Sequence, residues 1–136
     1  MTLYESLLEA VTTEYDTLRV LKQSPRGTVS VVRHKKSGTR YIFRRYSGSG
    51  EVYRRLLPVL CPHLPQIMEA AEQDGQTAVL EEYVQGDTLA ELLTGARLTE
   101  REARQVTMQL CQALHVLHSM GAVHDTLRVL KQSPRG

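Results

Sequence analysis

The chain has 136 residues, of which 41% are apolar and 24% are charged, and this balance predicts one soluble globular domain with a single core. The formal net charge of +2 is too small to indicate binding to nucleic acid or to a membrane surface. No apolar run reaches the ~18 residues of a transmembrane helix, and the first residues contain no basic or apolar signal segment, so we expect a cytoplasmic protein.

The chain contains two cysteines, Cys61 and Cys111, and neither belongs to a CxxC pair. This spacing excludes a disulfide framework and the paired ligands of a structural zinc site. We therefore expect two buried, reduced thiols.

One segment of twelve residues occurs twice, because residues 16–27 and 125–136 both read DTLRVLKQSPRG. At about one chance match in twenty per position, the odds of this identity are on the order of 10⁻¹⁵, so the segment is a duplication. We expect the second copy not to form a strand of the main sheet, because the first copy takes that place. Its Leu127, Val129 and Leu130 could instead add to a sheet edge or pair with another chain by strand exchange.

The elements that the sequence predicts begin with a helix and three strands. Apolar residues at helical spacing predict a helix up to residue 14, where Thr2 and Glu5 have the spacing of a capping box. The period then changes to that of antiparallel strands joined by turns. These strands are expected around Leu18–Val20, Thr28–His34 and Arg40–Tyr46.

The remaining predicted elements are two more strands and three helices. A brief helix at 51–57 is followed by strands at 66–72 and 76–83 and by helices at 88–93 and 99–120. The dipeptide Asp74-Gly75 favours a hairpin between the two strands, and Thr99 with Glu102 has the spacing of a second capping box. Strands first and helices after them predict an α+β fold.

This order of elements, with several local runs, resembles the protein kinase domain, of the eukaryotic-like serine/threonine type common in bacteria. Residues 79–86 read V-L-E-E-Y-V-Q-G and resemble the hinge of that family, and residues 98–124 resemble its E helix and the approach to its catalytic loop. The resemblance covers residues 15–124. It implies an N-lobe with a five-stranded antiparallel sheet and one C-type helix, followed by two C-lobe helices.

The resemblance also divides the chain and implies a site for ATP. The segments are an N-terminal helix at 1–14, the N-lobe at 15–84, the hinge and first C-lobe helices at 85–124, and the duplicate at 125–136 outside the native fold. The positions implied for nucleotide binding are Leu21, Gly27, Val29, Ile42, Arg44, Glu51, Glu81, Glu82 and Val84, with the backbone of Glu82 and Val84 holding the adenine.

The glycine-rich loop of the family, G-x-G-x-x-G-x-V, aligns with K-Q-S-P-R-G-T-V, which keeps only Gly27 and Val29. Lys22 and Ser24 place side chains where the family has glycines, and Pro25 has no N–H to donate to a phosphate. Two interpretations are open, a phosphate cradle and an ordinary β-hairpin turn, and these residues favour the turn.

Three charged residues stand where the family holds the nucleotide. Arg44 replaces the third-strand lysine, and Glu51 stands at the helix-C glutamate that pairs with it, although a glutamate exposed at a helix start is the alternative. Glu81 lies at the back of the pocket, where a buried carboxylate needs a partner. The family's geometry therefore implies a cluster Glu51–Arg44–Glu81, which could replace the usual lysine–glutamate pair or fill the pocket and hinder ATP. A register shift of one residue would place Arg45 there instead.

After the E helix the sequence departs from the family. The catalytic loop of the family reads H-R-D-L-x-x-x-N, whereas here His124 is followed by Asp125 and the rest of the duplicate. We expect a chain truncated before this chemistry, with no catalytic residue, no metal site, weak ATP binding and no phosphoryl transfer.

The alternative is a pseudokinase-like binding or regulatory module with a protein partner. In both cases little of the C-lobe would cover the apolar stripe of the helix at 99–120, which predicts self-association through that helix.

Overall fold

The computed structural model describes residues 1–86, Glu91 and residues 98–119 of the chain. The helices and strands are α1 (Leu3–Glu14), β1 (Tyr15–Ser24), β2 (Gly27–His34), β3 (Arg40–Ser47), α2 (Glu51–Leu56), β4 (Ile67–Gln73), β5 (Gln76–Glu82) and α3 (Glu100–Ser119). They belong to two units, of which the first comprises Met1–Val59 with Gln66–Tyr83 and the second comprises Leu60–Pro65 with Val84–Gly136.

The strands of the first unit form one antiparallel sheet in the order β1-β2-β3-β5-β4. The ends of β2 to β5 and of α2 lie within one residue of the positions that the sequence predicts. Asp74 and Gly75, which join β4 to β5, have positive φ angles of 51° and 75°. Aspartate and glycine adopt these angles more readily than other residues, which is why this dipeptide makes a tight hairpin.

Helix α1 covers one face of the sheet. The capping box starts it as predicted, because the Glu5 N–H donates to the Thr2 hydroxyl and the Thr2 N–H donates to the Glu5 carboxylate. Side chains of α1 then pack with alternate residues of the strands, which share a face because strand side chains alternate. The buried residues of this core are Tyr4, Leu7, Val32, Phe43, Ala71, Ala78 and Leu80.

Helix α2 begins against the opposite face. A Cβ atom on Gly50 would lie 2.7 Å from the Thr77 Cγ2 atom, so this close approach requires glycine. The Gly50 N–H donates to the Glu72 carboxylate at 3.0 Å, and Arg54 pairs with the same oxygen at 3.5 Å. These contacts hold the start of α2 beside β4 and β5.

Helix α3 is the long helix of the second unit, and it begins with the predicted capping box between Thr99 and Glu102. The apolar stripe that the sequence predicts on this helix consists of Ala103, Val106, Leu110, Ala113, Leu114 and Leu117. Ala113 and Leu117 are buried, Ala103 is exposed and the other three are half-buried. Self-association through this helix stays a prediction. No helix among residues 1–86 and 98–119 is long and apolar enough to cross a membrane.

The prediction of two buried thiols is wrong. Cys61 is half-buried and Cys111 is exposed. The reason is their position, since Cys61 lies in a proline-flanked loop and Cys111 lies off the apolar stripe of α3. The predicted helix at 88–93, except for Glu91, and the duplicate at 125–136 lie outside the described residues.

We predict that Leu7→Ala lowers the free energy of unfolding by about 2–5 kcal/mol, because it opens a cavity in the core beneath α1. Leu7 is 3% exposed. The matched control is Leu3→Ala on the same helix, where Leu3 is 68% exposed and the change should be within about 0.5 kcal/mol. Urea unfolding curves measure both values, and equal losses in the two variants would contradict the packing of α1 on the sheet.

Candidate functional site

An ion pair lies on the sheet face that α2 adjoins. The Arg44 Nε and Nη2 atoms both donate to the Glu81 Oε1 atom, at 3.1 Å and 2.9 Å. In the ladder of β3 and β5, Ile42 faces Glu81 and Arg44 faces Val79. Arg44 and Glu81 are therefore diagonal neighbours on one face, within reach of a long side chain. The contact that the sequence predicts between them is present, and it is Arg44, not Arg45, that makes it.

The pair is asymmetric in its exposure, since the Glu81 side chain is 7% exposed and that of Arg44 is 36% exposed. Burial lowers the pKa of Arg44, but the hydrogen bond and the negative charge of Glu81 outweigh burial, so the net pKa is raised. Glu81 therefore favours the charged form of the guanidinium. The carboxylate obtains from Arg44 the compensation that a buried charge requires.

Tyr53, on α2, is the residue near this pair that sequence reasoning missed. Burial raises the pKa of Tyr53, while the charge of Arg44 lowers it and that of Glu81 raises it. The ring of Tyr53 also lies 6.1 Å from that of Tyr46, which follows Arg44 on the same face of β3. Helical spacing could have indicated this position, because Tyr53 precedes the buried Leu56 by three residues and shares its side of α2.

The predicted three-membered cluster is wrong in one member, Glu51. The Glu51 carboxylate pairs with Arg55 of the same helix, and both side chains are more than half exposed. The physical reason is local, because residues four apart on a helix are neighbours and a glutamate at a helix start is also favoured by the helix dipole. Glu51 is therefore an exposed glutamate at the start of a helix and not a partner of Arg44.

The segment aligned with the glycine-rich loop is a tight β-hairpin. Ser24 pairs with Gly27 across the two-residue turn Pro25-Arg26. A Cβ atom on Gly27 would lie 2.0 Å from the Arg45 carbonyl oxygen, so glycine is needed for the close approach of β2 to β3. Packing within the sheet is therefore sufficient to explain Gly27, and the hairpin turn favoured by the sequence is present.

The other predicted nucleotide positions are distributed along the strands. Ile42 is buried and Val29 is half-buried opposite Arg44, so both share its face. Leu21 is 49% exposed, at a bulge of β1.

The two hinge positions fall in different units. In the first unit, the Glu82 N–H donates to the Gln66 carbonyl at 2.8 Å, and the Gln66 N–H donates to the Glu82 carboxylate at 3.0 Å. Val84 follows β5 and belongs to the second unit. Among the described residues, no group of three or more histidine, cysteine, aspartate or glutamate side chains is placed to hold a metal ion.

Comparison with known proteins places the chain in a family. A model of the protein kinase domain matches residues 27–130. The chain belongs to the protein kinase domain family. Rho-associated protein kinase 1 of Homo sapiens is 25% identical over 126 residues, which are 85% of this chain and 9% of that protein. NUAK family SNF1-like kinase 2 of Rattus norvegicus is 35% identical over 69 residues, which are 50% of this chain and 11% of that protein. The chain thus spans about a tenth of the length of these relatives.

Solved structures show the same fold. The chain matches Rad53 1-466 in complex with AMP-PNP with a TM-score of 0.70 at 19% identity, over 90% of this chain and 36% of that one. It matches the PknI kinase domain of M. tuberculosis with a TM-score of 0.62 at 21% identity, over 87% of this chain and 53% of that one. The predicted α+β fold, a five-stranded kinase N-lobe sheet followed by C-lobe helix, is confirmed, as is the resemblance to serine/threonine kinase domains.

We predict that Tyr53→Phe removes one tyrosine that ionises above its ordinary pKa of about 10. Because burial raises the pKa of Tyr53, the folded chain holds this proton more tightly than the unfolded chain. The stability linked to Tyr53 is therefore fully present below about pH 10 and is lost as the pH rises through the folded pKa.

Near-ultraviolet absorbance of tyrosinate measures this titration without interference from tryptophan, which the chain lacks, and the difference between variant and wild type isolates Tyr53 from the other five tyrosines. The variant should lack one tyrosinate in the high-pH part of the curve and lose less stability there than the wild type. If the titration curves of the variant and the wild type differed only near the ordinary tyrosine pKa of about 10, this result would contradict the buried position of Tyr53.

Proposed function

We propose that these 136 residues form a truncated protein kinase domain, the nucleotide lobe with the first C-lobe helices, that does not itself transfer phosphate and binds ATP weakly. The observation that carries this proposal is the ion pair of Arg44 with Glu81. In active protein kinases the residue at the position of Arg44 pairs with a glutamate of the C helix and contacts the phosphates. Here Glu51, at that glutamate's position, pairs with Arg55 instead.

The pair opposes phosphate binding by a direct competition. A phosphate group that took the Arg44 guanidinium would leave the Glu81 carboxylate, which is 7% exposed, without its partner. An uncompensated buried charge costs about 3–5 kcal/mol when a partner is removed outright. If the phosphate and Glu81 instead shared the guanidinium, their negative charges would repel each other. Either way Glu81 lowers the affinity for nucleotide.

The adenine part of the site supports weak binding that does not depend on Arg44. The fold is shared with Rad53, which was solved in complex with AMP-PNP. We propose that the backbone of Glu82 and Val84 holds adenine, because backbone groups are present whatever the side chains are. Leu21, Val29 and Ile42 would supply the apolar contacts.

Phosphoryl transfer needs further groups that this sequence does not supply in the family's places. The reaction requires a base beside the acceptor hydroxyl and side chains that hold magnesium on the phosphates. After His124 the sequence continues with Asp125-Thr126, where the family has arginine and then the catalytic aspartate.

A second candidate is a pseudokinase-like module that acts through protein contacts. The same ion pair favours it, because a site whose charges compensate each other is stable without a ligand. Exposed Met108 on α3 is consistent with a contact surface on that helix.

We expect no transfer of labelled γ-phosphate from ATP to a general protein substrate above a mock preparation, with magnesium or manganese present. The reason is that the sequence has Thr126 where the family has its catalytic aspartate, and such a group contributes orders of magnitude to the rate. Transfer that depends on magnesium and is lost in Arg44→Ala would overturn the proposal.

We also expect Glu81→Gln to raise the affinity for ATP by about tenfold, equivalent to 1.4 kcal/mol. Glutamine keeps the shape of the side chain but removes the charge that competes for Arg44. The matched control is Glu72→Gln, which removes a carboxylate paired with Arg54 and should leave the affinity unchanged. Thermal-shift titrations with ATP, with and without magnesium, measure the three affinities, and an unchanged affinity in Glu81→Gln would show that the pair does not restrain Arg44.

A further inference from the structure

Strand β1 is one of the two edge strands of the sheet, the other being β4. It pairs only with β2 in the described part of the chain, so the backbone groups along its outer side have no partner strand there. Every residue of β1 after Tyr15 is exposed. Three of these residues are large and apolar, namely Leu18, Val20 and Leu21, with exposed fractions of 42%, 54% and 49%. An edge of this kind is ready to pair with a further strand.

The edge carries little of the protection by which proteins usually prevent such pairing. Arg19 and Lys22 provide charge, and the bulges at Leu18 and Leu21 interrupt the register with β2. Apolar side chains nevertheless remain exposed on either side of these charges. A partner strand that paired apolar residues with Leu18 and Leu21, and kept cations away from Arg19 and Lys22, would therefore be favoured.

The chain itself contains a segment that satisfies these conditions, because residues 125–133 repeat residues 16–24 without a change. The same sequence forms most of strand β1, at residues 16–24. Its own structure lies outside the described residues. Its fit to the edge of β1 depends on the direction and the register of pairing.

The direction and register of pairing decide which charges face each other. A parallel, in-register strand would place Arg128 beside Arg19 and Lys131 beside Lys22, and like charges in direct opposition are destabilising. In the antiparallel direction, a register with Leu18 opposite Leu130 places Leu21 opposite Leu127. The same register sets Arg19 opposite Val129, Val20 opposite Arg128 and Lys22 opposite Thr126, so no two cations face each other.

We propose that residues 125–133 of one copy add to the outer edge of β1 of a second copy as an antiparallel strand. Each copy has one such edge and one such segment, so two copies close into a two-fold dimer with two identical strand pairings. The backbone bonds and the apolar pairs form twice in this dimer, and the second pairing forms within an already associated complex.

A charge-exchange experiment on the full chain tests both the partner and the register. Leu18→Lys and Leu130→Glu should each weaken the dimer about tenfold, because each places one charge opposite a leucine in both pairings. The double variant should recover wild-type dimerisation to within about threefold, because the new charges then face each other. Sedimentation equilibrium over a wide range of concentration measures the dissociation constants.

Two further variants separate the possible causes of a change. Val129→Pro should abolish the dimer because proline cannot donate in a ladder, whereas Val129→Ile should retain it. Circular dichroism should be unchanged in Leu18→Lys, which alters an exposed side chain.

Three results would overturn the proposal. A wild-type chain that stays monomeric up to high micromolar concentration would exclude the dimer. Sensitivity to Leu18→Lys but not to Leu130→Glu or Val129→Pro would show that two β1 edges pair with each other instead. A dimer that none of these substitutions weakens would place the contact elsewhere, for example on α3.

Discussion

A carboxylate buried on a sheet face requires a cation beside it, and the arrangement around the candidate site follows from this requirement. Glu81 as a whole residue is 5% exposed, and it lies near the end of β5, an interior strand of the sheet. Arg44 on the neighbouring strand supplies the compensation through two hydrogen bonds to one oxygen. Tyr53 and Tyr46 lie near this guanidinium, with their ring centroids 6.1 Å apart. Removal of Arg44 would leave the Glu81 carboxylate buried and unpaired, which is far more costly than replacing both residues.

Strand alternation allows one strand to carry this polar site and part of the apolar core. Along β5, Ala78 and Leu80 point toward α1, whereas Thr77, Val79 and Glu81 point toward the face where α2 begins. The polar site and the apolar core therefore use different side chains of β5. A change in the ion pair can alter ligand binding while the core beneath α1 keeps the sheet intact.

Local patterns were sufficient to predict much of the fold. Both capping boxes, the Asp74-Gly75 hairpin and the strands β2 to β5 depend on residues close together in sequence, and such signals survive in the folded chain. The pair Arg44–Glu81 was also predictable, because alternation along β3 decides which arginine faces the pocket. The resemblance to the kinase family then implies that Glu81 lies close to this arginine.

The rest depends on contacts that a single sequence does not specify. Which residue of α2 approaches Arg44 depends on the rotation of this six-residue helix about its axis. For this reason the sequence predicts Glu51 beside Arg44, whereas the structure has Tyr53 there. The requirement for glycine at position 27 comes from the backbone of β3, nearly twenty residues further along the chain. The exposure of Cys111 likewise depends on how α3 is oriented within its unit.

The position of α1 has a consequence for the order of folding. The three strands β1 to β3 form a meander of near neighbours, which can assemble early because only short loops must close. In contrast, α1 packs against Ala71, Ala78 and Leu80, and Thr2 bonds to Gln73 about seventy residues away. During synthesis Val32 and Phe43 of the earlier strands can begin to cover the apolar side of α1, but this cover is complete only after β5 has left the ribosome. Until then part of that side stays open to contact with chaperones and with other nascent chains.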